Sequence, residues 1–270
     1  MARRLRCIEV RVLPRGWPDV IRQVCLVLGA YVLYQIVRGL VGYGAYKPFG
    51  DATKIINLER LLHVFVEPSI QAWTSSVRPL MDFADWTYLN AHYIVTLGAL
   101  VFIYLRRNDS FYFVRNMFMV AMAMALVGYF LYPTAPPRLM PEWGFTDSIK
   151  NFTGVQLESS GPTSAFLNFY AAVPSIHVCF ALLIGWPMAK LVSRRPAKIA
   201  WGLYPLWISF VVVATGNHYL TDVVLGAMTA LASVLLAQRL LAPARPHAWA
   251  FVTPPASPPT LADAPAEAPA

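Results

Sequence analysis

The sequence predicts an all-α, polytopic membrane protein, a bundle of about six transmembrane helices. Of its 270 residues, 57% are hydrophobic and only 13% are charged, which is about half the charged fraction of an average soluble domain. The mean hydropathy of +0.49 excludes a disordered chain. Several apolar runs also approach the length of about 20 residues that a transmembrane helix needs.

Six segments reach or approach that length. They are residues 22–40, 86–105, 112–131, 175–192, 198–215 and 219–241. They define a membrane domain over 22–241, which follows a basic N-terminal segment at 1–21. The remaining residues, 242–270, form a Pro/Ala-rich tail that we expect to be disordered. Since no convincing small-residue cleavage site follows the first segment, we expect that segment to stay in the mature protein.

The basic residues predict the orientation of the bundle. The chain has 22 Lys and Arg against 14 Asp and Glu, a net charge of +8. With six spans, fifteen of these basic residues lie at the termini and in the short loops on one side of the membrane. The other seven lie in or beside the long loops 41–85 and 132–174 on the opposite side. Because cytoplasmic loops are enriched in Lys and Arg, we expect both termini to be cytoplasmic. The charge excess then reports topology, and nucleic acid is not an expected partner. The composition fits a bacterial plasma membrane.

Residues 52–67 predict a helix outside the spans, because Ile55, Leu58, Leu62 and Phe65 fall on one helical face. This helix either lies on the outer membrane surface or caps the bundle. The three cysteines, Cys7, Cys25 and Cys179, are too few and too scattered for a disulfide framework or a zinc site. We therefore expect no metal and no cofactor.

Three clusters of polar residues mark the outer mouth of the spans, where ionisable groups are functional candidates. In the first, YPTAPPR, the prolines end the third span and hold Arg138 at the membrane surface. Its guanidinium presents a planar fork of donors suited to a phosphate. The alternative is a helix stop with an interfacial arginine.

The second cluster, VPSIH, opens the fourth span. Ser175 is a natural N-cap, which places His177 in the first helical turn, near backbone N–H groups that favour an anion. A histidine at a helix start is more often structural, so this cluster is weak by itself.

The third cluster, GNHYLTD, opens the sixth span. If that helix begins near Asn217, His218 and Asp222 lie one turn apart on the same face. Asp222 then accepts a hydrogen bond from Nδ1 of His218 and leaves Nε2 as a nucleophile or base. Two histidines and an aspartate at one membrane face, behind a proline-fixed arginine, are too specific a combination to arise by accident, and they mark this face as the candidate active site.

With these residues the sequence resembles a known family. PSIH and HYLTD look like two signature motifs of the type-2 phosphatidic acid phosphatase (PAP2) superfamily, and YPTAPP is similar to the version in its inositolphosphotransferase branch, the inositol phosphorylceramide synthase-like proteins. The resemblance covers roughly 50–235. It implies that His218 is the nucleophile that forms a phosphohistidine and that Asp222 orients it. It also implies that His177 protonates the leaving oxygen and later deprotonates the incoming water or alcohol.

The departures from the family pattern favour transfer over hydrolysis. The phosphatases carry Ser-Arg six to seven residues before the nucleophile, where this chain has Val211 and Val212. A phosphodiester carries one charge fewer than a phosphomonoester and tolerates the loss of one arginine better. We therefore expect a lipid phosphotransferase that takes a phospholipid from the bilayer and uses a polyol or alcohol acceptor such as inositol. A lipid phosphatase that acts on phosphatidic acid or a polyprenyl-phosphate is the alternative, and a non-catalytic transporter or membrane subunit is a third.

Further candidates for binding the phosphate or the substrate flank these motifs. They are Ser175, Asn217 and Tyr219 beside the histidines, and His92 with Asn90 near the outer end of the second span. For His92, Asn90 and the neighbouring Tyr88, a polar patch between helices is an equal alternative. Asp85 and Glu67 are expected to belong to an acidic edge at the membrane interface.

Overall fold

The computed structural model describes residues 13–40, 46–154 and 170–246. In chain order its helices are α1 (Gly16–Leu40), α2 (Lys47–Leu61), α3 (Glu67–Ser76), α4 (Arg78–Trp86), α5 (His92–Arg106), α6 (Asn108–Leu131), α7 (Ser148–Thr153), α8 (Ile176–Leu191), α9 (Arg195–Ala214) and α10 (Leu220–Leu235). A π-helical turn, Thr87–Ala91, joins α4 to α5, and a second, Leu236–Leu241, extends α10. Within the described ranges there is no strand, only an isolated bridge between Thr134 and Ala171. The predicted all-α class is confirmed.

Five of the described helices are long and apolar enough to cross a membrane. They are α1, the continuous helix formed by α4 and α5, α6, α9, and α10 with its extension to Ala244. The sixth predicted span is α8, which has 16 residues and is therefore about 24 Å long. It packs against α5, α6, α9 and α10, and because it is apolar all round it occupies the centre of the bundle. A helix surrounded by protein need not match the thickness of the lipid.

The core of the bundle forms where α8 meets α6. Leu183 and Ile184 of α8 are buried with Phe113 and Met117 of α6. On the other side of α8, the small residues of α10 permit a close approach. A Cβ added at Gly226 would lie 2.4 Å from the carbonyl oxygen of Ser175, so the two helices touch backbone to backbone at this point.

The helix predicted at 52–67 differs from the one observed. Helix α2 begins at Lys47 and ends at Leu61, because His63 adopts a left-handed φ of 57° that a continuing helix does not allow. A new helix, α3, then begins at Glu67. The predicted apolar face is also only partly buried, since Ile55 is buried whereas Leu58 and Leu62 are exposed.

The alternating direction of the helices brings their functional ends together. The last residues of α6 and α9 and the first residues of α5, α8 and α10 lie at one end of the bundle, which we call the site end. Helix α2 packs against α10 at this end, and the backbone N–H of Ala135 donates to the carbonyl of Pro48 at 3.0 Å. The tail beyond residue 246 and the segment 1–12 lie outside the described residues.

Candidate active site

A cavity of about 280 Å³ lies at the site end, between α1, α5, α6 and α8. Both motif histidines, His177 and His218, line it, together with His92, Arg138 and Asn217. Three sequence clusters that are far apart along the chain therefore meet in one pocket.

His218 and Asp222 form the pair that the sequence predicts. The Nδ1 atom of His218 lies 3.3 Å from Oδ2 of Asp222, and both residues are buried. Oδ2 also accepts the backbone N–H of Tyr219 at 2.9 Å, so Asp222 is fixed by its own helix start. With Nδ1 of His218 engaged by this carboxylate, Nε2 is the ring nitrogen left for chemistry.

The local backbone places His218 just before α10 rather than inside it. The helix begins at Leu220 and not near Asn217, so His218 precedes the N-cap, Tyr219. The backbone N–H groups of Asn217 and His218 both donate to the carbonyl of Val212 at 3.0 Å. A left-handed turn at Gly216, with φ of 67°, allows this reversal between α9 and α10.

His177 lies across the pocket in the first turn of α8. Its ring centroid is 5.8 Å from that of His218, and it stacks on the ring of Tyr88 at 4.5 Å. His92 lies 4.8 Å from it on the same side. Both rings line the pocket, so the two motif histidines face a common volume.

Arg138 supplies the positive charge of the pocket. It lies in a 3₁₀ turn, Pro137–Leu139, and is buried. Its Nε donates to Oδ1 of Asn217 at 3.1 Å, and its Nη1 lies 3.4 Å from Oδ2 of Asp147. Its backbone N–H donates to the carbonyl of Gly216 at 2.7 Å. Both its backbone and its side chain are therefore attached to the loop that carries the nucleophile candidate.

Asn217 connects Arg138 to a deeper polar network. Its amide nitrogen donates to Oγ1 of Thr215 at 2.9 Å, and the Thr215 carbonyl accepts from Ser148 at 3.2 Å. Ser148 also donates to Asp85 at 2.7 Å. Asp85 is therefore buried in this network, and its predicted place in an exposed acidic edge is wrong.

The remaining candidates occupy different positions relative to the pocket. His92 lines it, but Asn90 is exposed and its amide donates to the carbonyl of Trp86 at 3.3 Å. Residues two positions apart on a helix do not share a face, so Asn90 points away from the pocket that His92 lines. Ser175 caps α8 by accepting from the backbone N–H of Val178 at 3.5 Å. The hydroxyl of Tyr219 donates to the carbonyl of Ala135 at 3.3 Å. Ser175 and Tyr219 are fully buried outside the pocket lining.

Two buried glutamates, Glu67 and Glu59, accept hydrogen bonds from the first backbone N–H groups of α10. The sequence did not indicate these contacts. Oε1 of Glu67 accepts the backbone N–H of Leu220 at 2.9 Å, and Oε1 of Glu59 accepts both the backbone N–H and the hydroxyl of Thr221 at 2.7 Å. Burial and the neighbouring Glu67 carboxyl raise the pKa of Glu59 to about 8. Glu67 is thus a buried helix cap and not part of an interfacial edge. Only the fold brings these carboxyls, more than 150 positions away in the chain, to α10.

Helix α1 also contributes to the pocket, through Tyr31, Tyr34 and Gln35. The hydroxyl of Tyr34 lies 3.3 Å from that of Tyr129, which donates to the carbonyl of Pro174 at 3.2 Å. The sequence could have indicated this role, because Tyr31, Tyr34 and Gln35 are spaced three and four residues apart and place polar groups on one face of a largely apolar helix.

Arg138 is the only permanently charged cation among the described residues that line this pocket. Val211 and Val212 are both buried in α9. In the part of the chain that the structure describes, no group of three or more His, Cys, Asp or Glu residues is placed to hold a metal ion.

Comparison with known families gives one match. The family model of the PAP2 superfamily matches residues 53–236. Searches of curated proteins and of solved structures return no match. The matched segment contains Arg138, His177, His218 and Asp222, but it leaves out α1.

Proposed function

Since the chain belongs to the PAP2 superfamily, a superfamily of lipid enzymes of the phosphatase and phosphotransferase type, we propose that it is a lipid phosphotransferase of the inositolphosphotransferase kind. In this proposal it transfers a phospho-headgroup from a phospholipid donor to a polyol or alcohol such as inositol. The transfer proceeds through a phosphohistidine.

One observation carries the proposal. The rings of His177 and His218 lie 5.8 Å apart in a pocket that also contains Arg138, and Asp222 engages the Nδ1 atom of His218. A nucleophile, an acid–base group and a cation are the parts that an in-line phosphoryl transfer needs.

In the first step, Nε2 of His218 attacks the phosphorus and forms the N–P bond. The bond from phosphorus to the leaving oxygen breaks, and protonated His177 gives that oxygen its proton. Asp222 stabilises the positive charge that develops on the His218 ring, because its carboxylate lies at Nδ1. Arg138 stabilises the negative charge on the phosphoryl oxygens.

In the second step, neutral His177 takes the proton of the acceptor hydroxyl. The acceptor oxygen attacks the phosphohistidine, the N–P bond breaks, and His218 returns to its starting state. Tyr34, Gln35 and Tyr88 line the same pocket and offer polar groups for the hydroxyls of a polyol.

The charge of the pocket supports a diester donor over a monoester. A phosphomonoester dianion requires two or more cations, whereas the described lining provides Arg138 alone. The superfamily phosphatases carry a Ser-Arg pair, and with it a second arginine, at the positions that Val211 and Val212 occupy in this chain.

The distribution of basic residues supports a topology for this enzyme. With fifteen Lys and Arg residues on one side and seven on the other, both termini are cytoplasmic and the site end faces outward. The proposed location is a bacterial plasma membrane, with the donor entering from the outer leaflet. Tagging of the 132–174 loop with an impermeant reagent tests this orientation, and labelling from inside only would overturn it.

The acceptor dependence of the reaction tests the proposed function. Purified protein receives a phospholipid with a labelled headgroup phosphate, with and without inositol or another alcohol. We expect a labelled phospho-acceptor that requires the alcohol. Release of inorganic phosphate at the same rate in both samples would instead identify a lipid phosphatase.

A trapped intermediate tests the role of the histidine pair. Acid-labile, base-stable labelling of the protein is expected in wild type and absent from His218→Ala. A His177→Asn variant controls for loss of the pocket. It should accept label more slowly than the wild type, because the leaving oxygen lacks its proton donor, and it should then retain the label, because the acceptor hydroxyl lacks its base. Turnover that persists in His218→Ala would exclude a phosphohistidine at this residue, whereas the absence of both labelling and turnover in the wild type would favour a non-catalytic role for the fold.

A further inference from the structure

Two apolar cavities continue from the active-site pocket along α1. The first, of about 190 Å³, shares Tyr31, His92, Tyr93 and Phe180 with the pocket. The second, of about 270 Å³, shares Val27, Leu28, Leu97 and Leu100 with the first. The three cavities therefore form a series that leads from the histidines along the length of the bundle. We call the two apolar cavities together the α1 groove.

The α1 groove exists because α1 is attached to the bundle near its two ends. Near one end, Asp19 accepts hydrogen bonds from the hydroxyls of Tyr104 and Tyr112, each at 2.9 Å, and Gln23 is hydrogen-bonded to Arg115. At the site end, Tyr34 meets Tyr129. Gln23 and Tyr34 are 11 residues apart, about 16 Å along a helix. Only 11% of the most apolar stretch of α1 is buried, against 28% or more for the four other long spans.

The lining of the α1 groove suits hydrocarbon. Val27, Leu28, Leu97 and Leu100 form its walls on α1 and α5, and Met119 and Met122 of α6 form its floor. Leu28 and Leu97 are 54% and 53% exposed, so the groove is open sideways to the membrane. The one charged residue in the described lining of the two cavities is Arg115. Its guanidinium is engaged by Gln23 and by Asn116, the latter at 2.7 Å.

We propose that the hydrocarbon chain of the lipid substrate lies in the α1 groove while its phosphate lies between His177 and His218. This inference rests on the proposed lipid phosphotransferase function and names the part of the substrate that α1 recognises. Because α1 lies outside the residues that match the superfamily, membership of the superfamily does not by itself imply this subsite.

The continuity of the cavities identifies the occupant. A chain whose phosphate is held at Arg138 enters the α1 groove directly past Tyr93 and Phe180, which line both spaces. Bilayer lipid is as apolar as leucine, so the groove gains little from burial of apolar surface alone. Its effect is to fix the direction of the chain and, through it, the position of the phosphorus.

Photolabelling tests the proposal in the full-length protein in vesicles. The probe is a long-chain phosphatidylglycerol, a phosphodiester lipid, that carries a diazirine near the end of one acyl chain. We expect crosslinks to α1 and α5 around Leu28 and Leu97. Unlabelled phosphatidylglycerol should displace them, and diacylglycerol with the same chains should not. Equal displacement by both lipids would show that the groove holds bulk lipid only and would overturn the proposal.

Groove-filling variants provide the second measurement. In Leu97→Trp and Leu28→Trp, we expect displaceable labelling to fall about tenfold, the order of effect seen when an apolar site loses room for one group. Ile94→Trp and Leu33→Trp are the matched controls, because both residues are exposed on the same two helices and line neither cavity. Equal labelling of the Leu97→Trp and Ile94→Trp variants contradicts the proposal.

The same experiment separates this inference from the proposed function. The His218→Ala variant should keep the crosslinks around Leu28 and Leu97, because Arg138 still binds the phosphate and the α1 groove does not include the nucleophile. If that variant also retains turnover, the catalytic proposal fails while the groove stands. If the catalytic tests succeed but labelling does not depend on the headgroup, the groove proposal fails alone.

Discussion

The contact between Gly226 and Ser175 leads to a sharp prediction about the geometry of the site. A Cβ at position 226 would lie 2.4 Å from the carbonyl oxygen of Ser175, and 3.2 Å from its carbonyl carbon and its Cβ. Since carbon and oxygen atoms in ordinary contact are at least about 3.4 Å apart, Gly226→Ala must separate α8 from α10 by about 1 Å. The obstacle is backbone, so no side-chain rotation relieves it.

The displacement acts directly on the two catalytic candidates. Ser175 is two residues before His177, and Gly226 is one helical turn after Asp222. A misplacement of 1 Å can cost about 10²-fold in rate, and overpacking of a tight interface costs about 1–3 kcal/mol of stability. We therefore expect kcat of Gly226→Ala to fall about 100-fold and its unfolding temperature in detergent to fall.

Gly202→Ala is the matched control for this prediction. Gly202 also lies inside a helix of the bundle, and nothing lies within 4 Å of its added Cβ. Turnover on a labelled phospholipid and thermal unfolding are measured for both variants. If Gly226→Ala behaves like Gly202→Ala in both assays, the contact between α8 and α10 does not set the separation of the histidines, and the reasoning is refuted.

Three further predictions concern the charged groups of the site. Asp222→Asn should lower kcat about 10⁴-fold with little change in KM, as expected for loss of the carboxylate that fixes the tautomer of a catalytic histidine; a change in KM alone would contradict this role. Arg138→Lys should lower kcat/KM about 10–100-fold, because an ammonium lacks the planar fork of donors that lets Arg138 bind Asn217 through Nε and present its other N–H groups to a phosphate; steady-state kinetics with one donor lipid decide, and an unchanged value excludes Arg138 from the phosphate site. Glu59 should make stability pH-dependent, because its pKa rises from about 4.5 to about 8 on folding and the folded state therefore keeps a proton that the unfolded state loses. The contribution of Glu59 is complete below pH 4.5 and is lost as the pH rises towards 8. Thermal unfolding across this range should have a shallower pH dependence in Glu59→Gln, and an unchanged slope would assign the effect to other groups.

The motifs of the site could be predicted from the sequence because each is local. His218 and Asp222 are four residues apart, and a helix start brings any such pair together. The predicted N-cap at Ser175 is likewise observed. Two predictions about local structure were wrong. Asn90 does not reach the pocket with His92, because residues two positions apart on a helix lie on different faces, and α2 ends early because His63 adopts a left-handed conformation.

By itself, the sequence determined the all-α membrane class and the order of the spans, because hydrophobic length is a property of consecutive residues. It also determined which side chains are able to carry the chemistry. Only the tertiary structure decided which of them meet. The buried glutamates at the start of α10, the attachment of Arg138 to Asn217 and the groove behind α1 join residues that are far apart in the chain. Such contacts depend on how the helices pack against one another, and no periodicity within a single segment specifies that packing.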